Sequence, residues 1–190
     1  MIFFLLLLVL MFAGLVVQHF IGPLPVIGAR VLLMQMVMLY GSLAMPLPGM
    51  LALTFAGGLM WDAINTQWIG DSMADGQVEI AMGWSIVLYS ALGTIMNGFR
   101  PLFLRGRWEI HCLLTGACTC VMVLAEYLMV TVRRQPIQFT FNSHVAWKIC
   151  GAGLIATLLA PLFFFIFNYL ALLTGFDPQP ERHGAKLKKR

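Results

Sequence analysis

Charge is scarce in this sequence. Asp, Glu, Lys and Arg make up 11% of its 190 residues, less than half of the roughly 25% typical of a soluble globular domain. The first 29 residues carry no formal charge, and a second charge-free stretch runs from Val31 to Trp61. Chain of this kind cannot supply the wetted surface of an ordinary soluble domain, which excludes that class. Cysteine is also sparse, with four residues at Cys112, Cys118, Cys120 and Cys150. Cys118 and Cys120 are two apart and face different sides of a helix, so their spacing makes neither a metal site nor a disulfide framework. They read as small packing residues. The HExxH, GxSxG and P-loop signatures are missing. No catalytic, cofactor-binding or metal-binding residue is therefore assigned, and a non-enzymatic protein without cofactors is expected.

What is present is apolar. Hydrophobic residues reach 60% and mean hydropathy is +0.86, and they come in blocks near the roughly 20 residues that cross a bilayer as a helix. The blocks predict spans over about 2–20, 26–45, 48–65, 78–99, 110–132 and 145–174. For the first, a cleaved signal peptide is disfavoured because no Lys or Arg precedes it and no convincing small-x-small cleavage site follows. Pro46 and Pro48 divide the second span from the third, since proline restricts helix continuation. The alternative is a single kinked helix across both prolines. Pro161 is expected to bend the last span. The fold class expected is thus an all-α integral membrane protein, six transmembrane helices in a compact bundle over residues 1–176, followed by a basic cytoplasmic tail over 177–190.

Lys and Arg then set the orientation, because positive residues stay on the cytoplasmic side. With six crossings and both termini inside, eight basic residues are cytoplasmic (Arg100, Arg105, Arg107, Arg182, Lys186, Lys188, Lys189 and Arg190). Four lie outside (Arg30, Arg133, Arg134 and Lys148). The bias predicts N-in, C-in. Basic charge confined to loops and a short tail is a poor match for nucleic acid, which calls for a stripe or patch.

Two acids stand out because ionised carboxylates are expensive in hydrocarbon. Glu126 lies in VMVLAEYLMV and Asp62 follows Gly57 and Gly58 in GGLMWDAI. Each either makes a functional polar contact inside the bundle or serves as a structural hydrogen bond near the interface. Arg133 and Arg134, beside a span end, read as interfacial anchors or as contacts to lipid phosphate or a partner. Small residues at Ala52 and Ala56, Gly93 and Asn97, and Gly151 to Gly153 permit close helix packing without specifying it.

The order of these features resembles the bacterial rod shape-determining MreD family. The resemblance rests on the N-terminal span, on ARVLLMQMVMLYGSLAMPLPGMLALTFAGGLMWDAI and on VMVLAEYLMV, and covers roughly residues 1–174. The loop QWIGDSMADGQVE departs from the family by being longer and more acidic. The family implies a non-enzymatic scaffold of the cell-elongation machinery in the bacterial inner (cytoplasmic) membrane. Its implied partners are an MreC-like bitopic protein and a complex with MreB, RodA and a penicillin-binding transpeptidase. Asp62 and Glu126 carry over as polar positions that stabilise the bundle or its partner-facing surface. Arg100, Arg105 and Arg107 match only a generally basic loop, and the tail KLKKR suits anionic lipid. A substrate-binding membrane subunit of a small-molecule transporter is the alternative of a different class.

Overall fold

The computed structural model describes residues 2–22, 28–64, 83–105, 107–133 and 142–176. The described residues form seven helices: α1 (Ile2–Phe20), α2 (Leu33–Ala44), α3 (Leu47–Ile64), α4 (Trp84–Gly98), α5 (Arg100–Leu104), α6 (Trp108–Arg133) and α7 (Ser143–Leu173). The basic tail, the loop QWIGDSMADGQVE and Arg134 lie outside the described residues.

The expectation of six membrane-crossing helices is corrected. Four helices, α1, α3, α6 and α7, are long and apolar enough to cross a bilayer by length and composition. The other two expected spans contain helices that are too short. At 1.5 Å per residue, the 12 residues of α2 extend about 18 Å and the 15 of α4 about 22 Å, against a hydrocarbon core of about 30 Å. The eight-to-four tally of basic residues behind the N-in, C-in orientation rests on the loops of six crossings and lapses with that count, although four crossings, like six, leave both termini on one side. The chain is an all-α bundle of multi-pass membrane character.

Helix α2 can be short and still apolar because protein wraps it. Every residue from Met34 to Met45 is buried, and α2 packs against each of the other six helices. Its apolar composition therefore reflects a protein interior, the reading that suits an apolar run of 10–14 residues. The proline break behaves as expected for two helices: Met45 is extended at ψ 155°, the conformation favoured before proline, and its N–H closes α2 by donating to the Gly41 carbonyl at 2.9 Å. Pro48 sits in the first turn of α3, where no helical N–H is needed.

The surrounding helices have one face on this core and another that is apolar yet exposed. In α1 the buried positions are Phe3, Leu7, Met11, Leu15 and Gln18, a single stripe, while Leu5, Val9, Phe12 and Val16 point outward. An outward apolar face on a long helix suits lipid as solvent. Neighbours in the chain run antiparallel. Gln18 near the end of α1 meets Met34 at the start of α2, and Leu7 nearer the start of α1 packs at Gly41 toward the end of α2.

Two helix pairs approach through glycine. A Cβ at Gly58 of α3 would collide with the backbone of Ile86 on α4, with its nitrogen at 2.6 Å. Across the α6–α7 seam, a Cβ at Gly116 would stand 3.1 Å from the Gly153 carbonyl. Close backbone approach of this kind supplies van der Waals packing where the hydrophobic effect between helices is absent. Helix α7 remains continuous through Pro161.

Candidate functional site

Polar side chains from four helices, α2, α3, α4 and α6, gather near one end of α2. Tyr89 of α4 is fully buried, and its hydroxyl accepts from Gln35 Nε2 of α2 at 3.4 Å. The carboxylates of Glu126 on α6 and Asp62 on α3 both act electrostatically on Tyr89. Arg30, just before α2, supplies opposite charge to Glu126. Asp62 also makes a directional contact, its Oδ2 accepting from the Gly83 N–H at 2.7 Å. Gly83 precedes α4 at φ 104°, a left-handed conformation that glycine adopts without a Cβ penalty. Asp62 thus ties the end of α3 to the start of α4.

Two acceptors in this cluster are left over. Among the described residues, neither Gln35 Oε1 nor Glu126 Oε1 finds a hydrogen-bond partner, although both are buried. Buried acceptors are normally satisfied, and an orphan costs roughly 1–3 kcal/mol. Arg30 offsets part of that cost for Glu126 through its charge.

The ends of α2 explain how a short helix can stop inside a membrane bundle. A helix leaves its first N–H groups and last carbonyls without intrahelical partners, and an apolar medium offers them no water. At the start, Gln18 Oε1 of α1 accepts from the Met34 N–H at 3.3 Å. At the finish, Asn97 Nδ2 of α4 donates to the carbonyls of Ser42 at 2.8 Å and Met45 at 3.0 Å. Side chains from two neighbouring helices therefore cap α2 at both ends.

Beyond the middle of α2 the surroundings become aromatic. Tyr40 lies among Phe103 of α5, His111 of α6, and Phe164 and Phe167 of α7, with ring centroids 5.2–6.3 Å away. The Tyr40 hydroxyl has no hydrogen-bond partner among the described residues.

Of the residues singled out in the sequence, Asp62 and Glu126 both lie within electrostatic range of Tyr89. Arg100, Arg105 and Arg107, in and just before PLFLRGRWE, stand apart from them, at the other end of the bundle. Arg100 begins α5, and its buried Nε has no hydrogen-bond partner among the described residues, whereas Arg105 and Arg107 are exposed. Arg133 is the last residue of α6. Cys112 and Cys118 are buried, Cys120 is half-buried and Cys150 exposed, and all four are free thiols. Among the described residues no group of three His, Cys, Asp or Glu side chains is placed to hold a metal. Sequence reasoning passed over Gln18, Gln35, Tyr89 and Asn97 as site residues. Their signal is an uncharged polar side chain within an apolar block.

No family model, curated protein or solved structure matches the chain.

Proposed function

We propose that this chain is a non-enzymatic membrane scaffold of the bacterial cell-elongation machinery, residing in the inner (cytoplasmic) membrane. In this role it binds an MreC-like bitopic protein and helps couple MreB filaments to peptidoglycan synthesis by RodA and a penicillin-binding transpeptidase. Anionic lipid meets its basic tail. The observation that supports a scaffold is the double capping of α2. Much of the segment resembling the MreD family, Ala29 to Ile64, folds into a central helix locked at both ends and a long helix packed beside it. A rigid body of that kind presents fixed outer faces to partner helices, and its polar residues are spent on internal order. Asp62 and Glu126 act in this reading as internal ties.

Crosslinking in membranes that contain both proteins tests the proposal. Recovery of the MreC-like partner is expected. Its absence, together with specific uptake of a small solute, would favour the transporter-subunit alternative. That alternative draws on one observation, the two orphaned acceptors Gln35 Oε1 and Glu126 Oε1 beside Tyr89, because unsatisfied buried polar groups are one mark of a ligand site.

A further inference from the structure

We propose that the cleft between the C-terminal ends of α1 and α3 binds the phosphate-bearing headgroup of an anionic membrane lipid. Its lining includes Leu15, Gln18 and His19 from α1, Arg30 from the connection into α2, and Trp61 and Ile64 from α3. Both flanking helices are long and apolar enough to span a bilayer, so their ends at Phe20 and Ile64 mark the depth where hydrocarbon gives way to headgroups. The lining is graded to match that boundary. Leu15 and Ile64 are apolar, Trp61 has the amphipathic ring that belongs at this level, and Arg30 and His19 are exposed with N–H groups for an anion.

The charge pattern selects the occupant. Arg30 offers a guanidinium fork suited to phosphate oxygens, and among the described residues no carboxylate lines the cleft. Glu126, which shares the field of Arg30, belongs to the cluster around Tyr89. Free inorganic phosphate shares the headgroup's anionic chemistry but would leave the exposed Ile64 without apolar contact, whereas a lipid covers it with the start of its acyl chains. Lipid capture at this cleft needs only the membrane setting and does not rest on the partners of the elongation machinery.

The test uses the full-length chain purified in detergent with bound lipid counted by native mass spectrometry. Phosphatidylglycerol is offered in competition with phosphatidylcholine. The intact chain should retain phosphatidylglycerol with about tenfold preference, the scale of a hydrogen-bonded charge. Arg30→Gln should bring that ratio close to one, and Arg30→Lys should leave part of it. Substituting Arg105 and Arg107 together with Gln, at the other end of the bundle, should leave the preference in place. Full preference in Arg30→Gln would overturn the site, as would its loss in the Arg105/Arg107 variant. Displacement of the lipid by millimolar inorganic phosphate would assign the cleft to a free anion and overturn the headgroup. A readout independent of Arg30 keeps the test decisive should that variant fail to fold. Phosphatidylglycerol with brominated acyl chains should quench tryptophan fluorescence of the intact chain more than that of Trp61→Phe, and equal quenching would reject the site.

Discussion

The two ends of α2 solve the same problem by different means. Near its start, Gln35, Tyr89, Asp62, Glu126 and Arg30 bring four elements together through directional polar contacts and charge. Beyond its middle, Tyr40 is held by four aromatic rings from three helices. Directional contacts fix geometry but leave orphans when one partner is out of line. Ring packing itself makes no directional demand and gives less specificity, and the one orphan among these rings is the Tyr40 hydroxyl, which packing does not need. Lipid tails are as apolar as phenylalanine, so the aromatic end gains chiefly shape and dispersion. The polar end gains from pairing groups that lipid cannot satisfy.

The largest expected effect breaks the polar end by parting its helices. In Gly58→Leu the new side chain enters the backbone of Ile86, where no flexible neighbour can yield. Separation of α3 from α4 would strain the Asp62–Gly83 bond and move Tyr89. Destabilisation of about 3 kcal/mol is expected, at the upper end for overpacked cores, read as a drop in Tm of the purified protein. Unchanged Tm would mean that the two backbones are not in contact.

Phe164→Ala challenges the aromatic end and should cost somewhat less. Phe164 touches Tyr40, Phe103 and His111 and is nearly fully buried. In soluble cores Phe→Ala costs about 3–5 kcal/mol, transfer and cavity together. The unfolded reference in a bilayer remains in hydrocarbon, so most of the transfer part is absent. A loss of about 2 kcal/mol is expected, again by Tm, and it should be partly recovered when a small apolar solute fills the cavity.

Asn97→Leu comes next. It removes both donors that cap the last carbonyls of α2 while keeping similar bulk. A loss of about 1–2 kcal/mol is expected for buried acceptors left unsatisfied. A fall in Tm should be accompanied by faster amide exchange at Met45, whose N–H closes the same turn. Exchange confined to the start of α2 would refute the capping role.

Much of this architecture was legible, and the part that was not has a physical cause. Hydropathy reports whether a segment avoids water, and it placed a helix in each of the six apolar blocks. It does not report whether lipid or protein surrounds that segment. Met34 to Met45 reads as a span for this reason, although the structure surrounds it with six helices. Formal charge drew attention to Asp62 and Glu126, which do share a neighbour. The groups that decide where α2 can end are amides, Gln18 and Asn97, and a charge count is blind to them. Tyr89 was hidden because an aromatic residue in an apolar block looks like packing until its hydroxyl is seen to accept from Gln35.

The finest difference between the two ends of α2 lies in their tyrosines. Tyr40 and Tyr89 are both buried tyrosines, yet of the two only Tyr89 has a hydrogen-bonded partner among the described residues. Tyr40→Phe removes an orphaned hydroxyl and nothing else, so stability should stay level or rise by about a few tenths of a kcal/mol. Tyr89→Phe instead strands Gln35 Nε2, and Gln35→Leu strands the Tyr89 hydroxyl, so each alone should cost about 1 kcal/mol. Combining them removes donor and acceptor together, along with the orphaned Gln35 Oε1, and should cost less than the sum of the two. A double-mutant cycle by Tm should therefore show coupling of about 1 kcal/mol at Gln35 and Tyr89. A Tyr40→Phe change paired with His111→Leu, drawn from the aromatic end, should show little coupling through hydrogen bonds, since these two side chains meet through their ring faces and edges. Equal coupling at both ends would erase the distinction between directional and dispersive packing around α2.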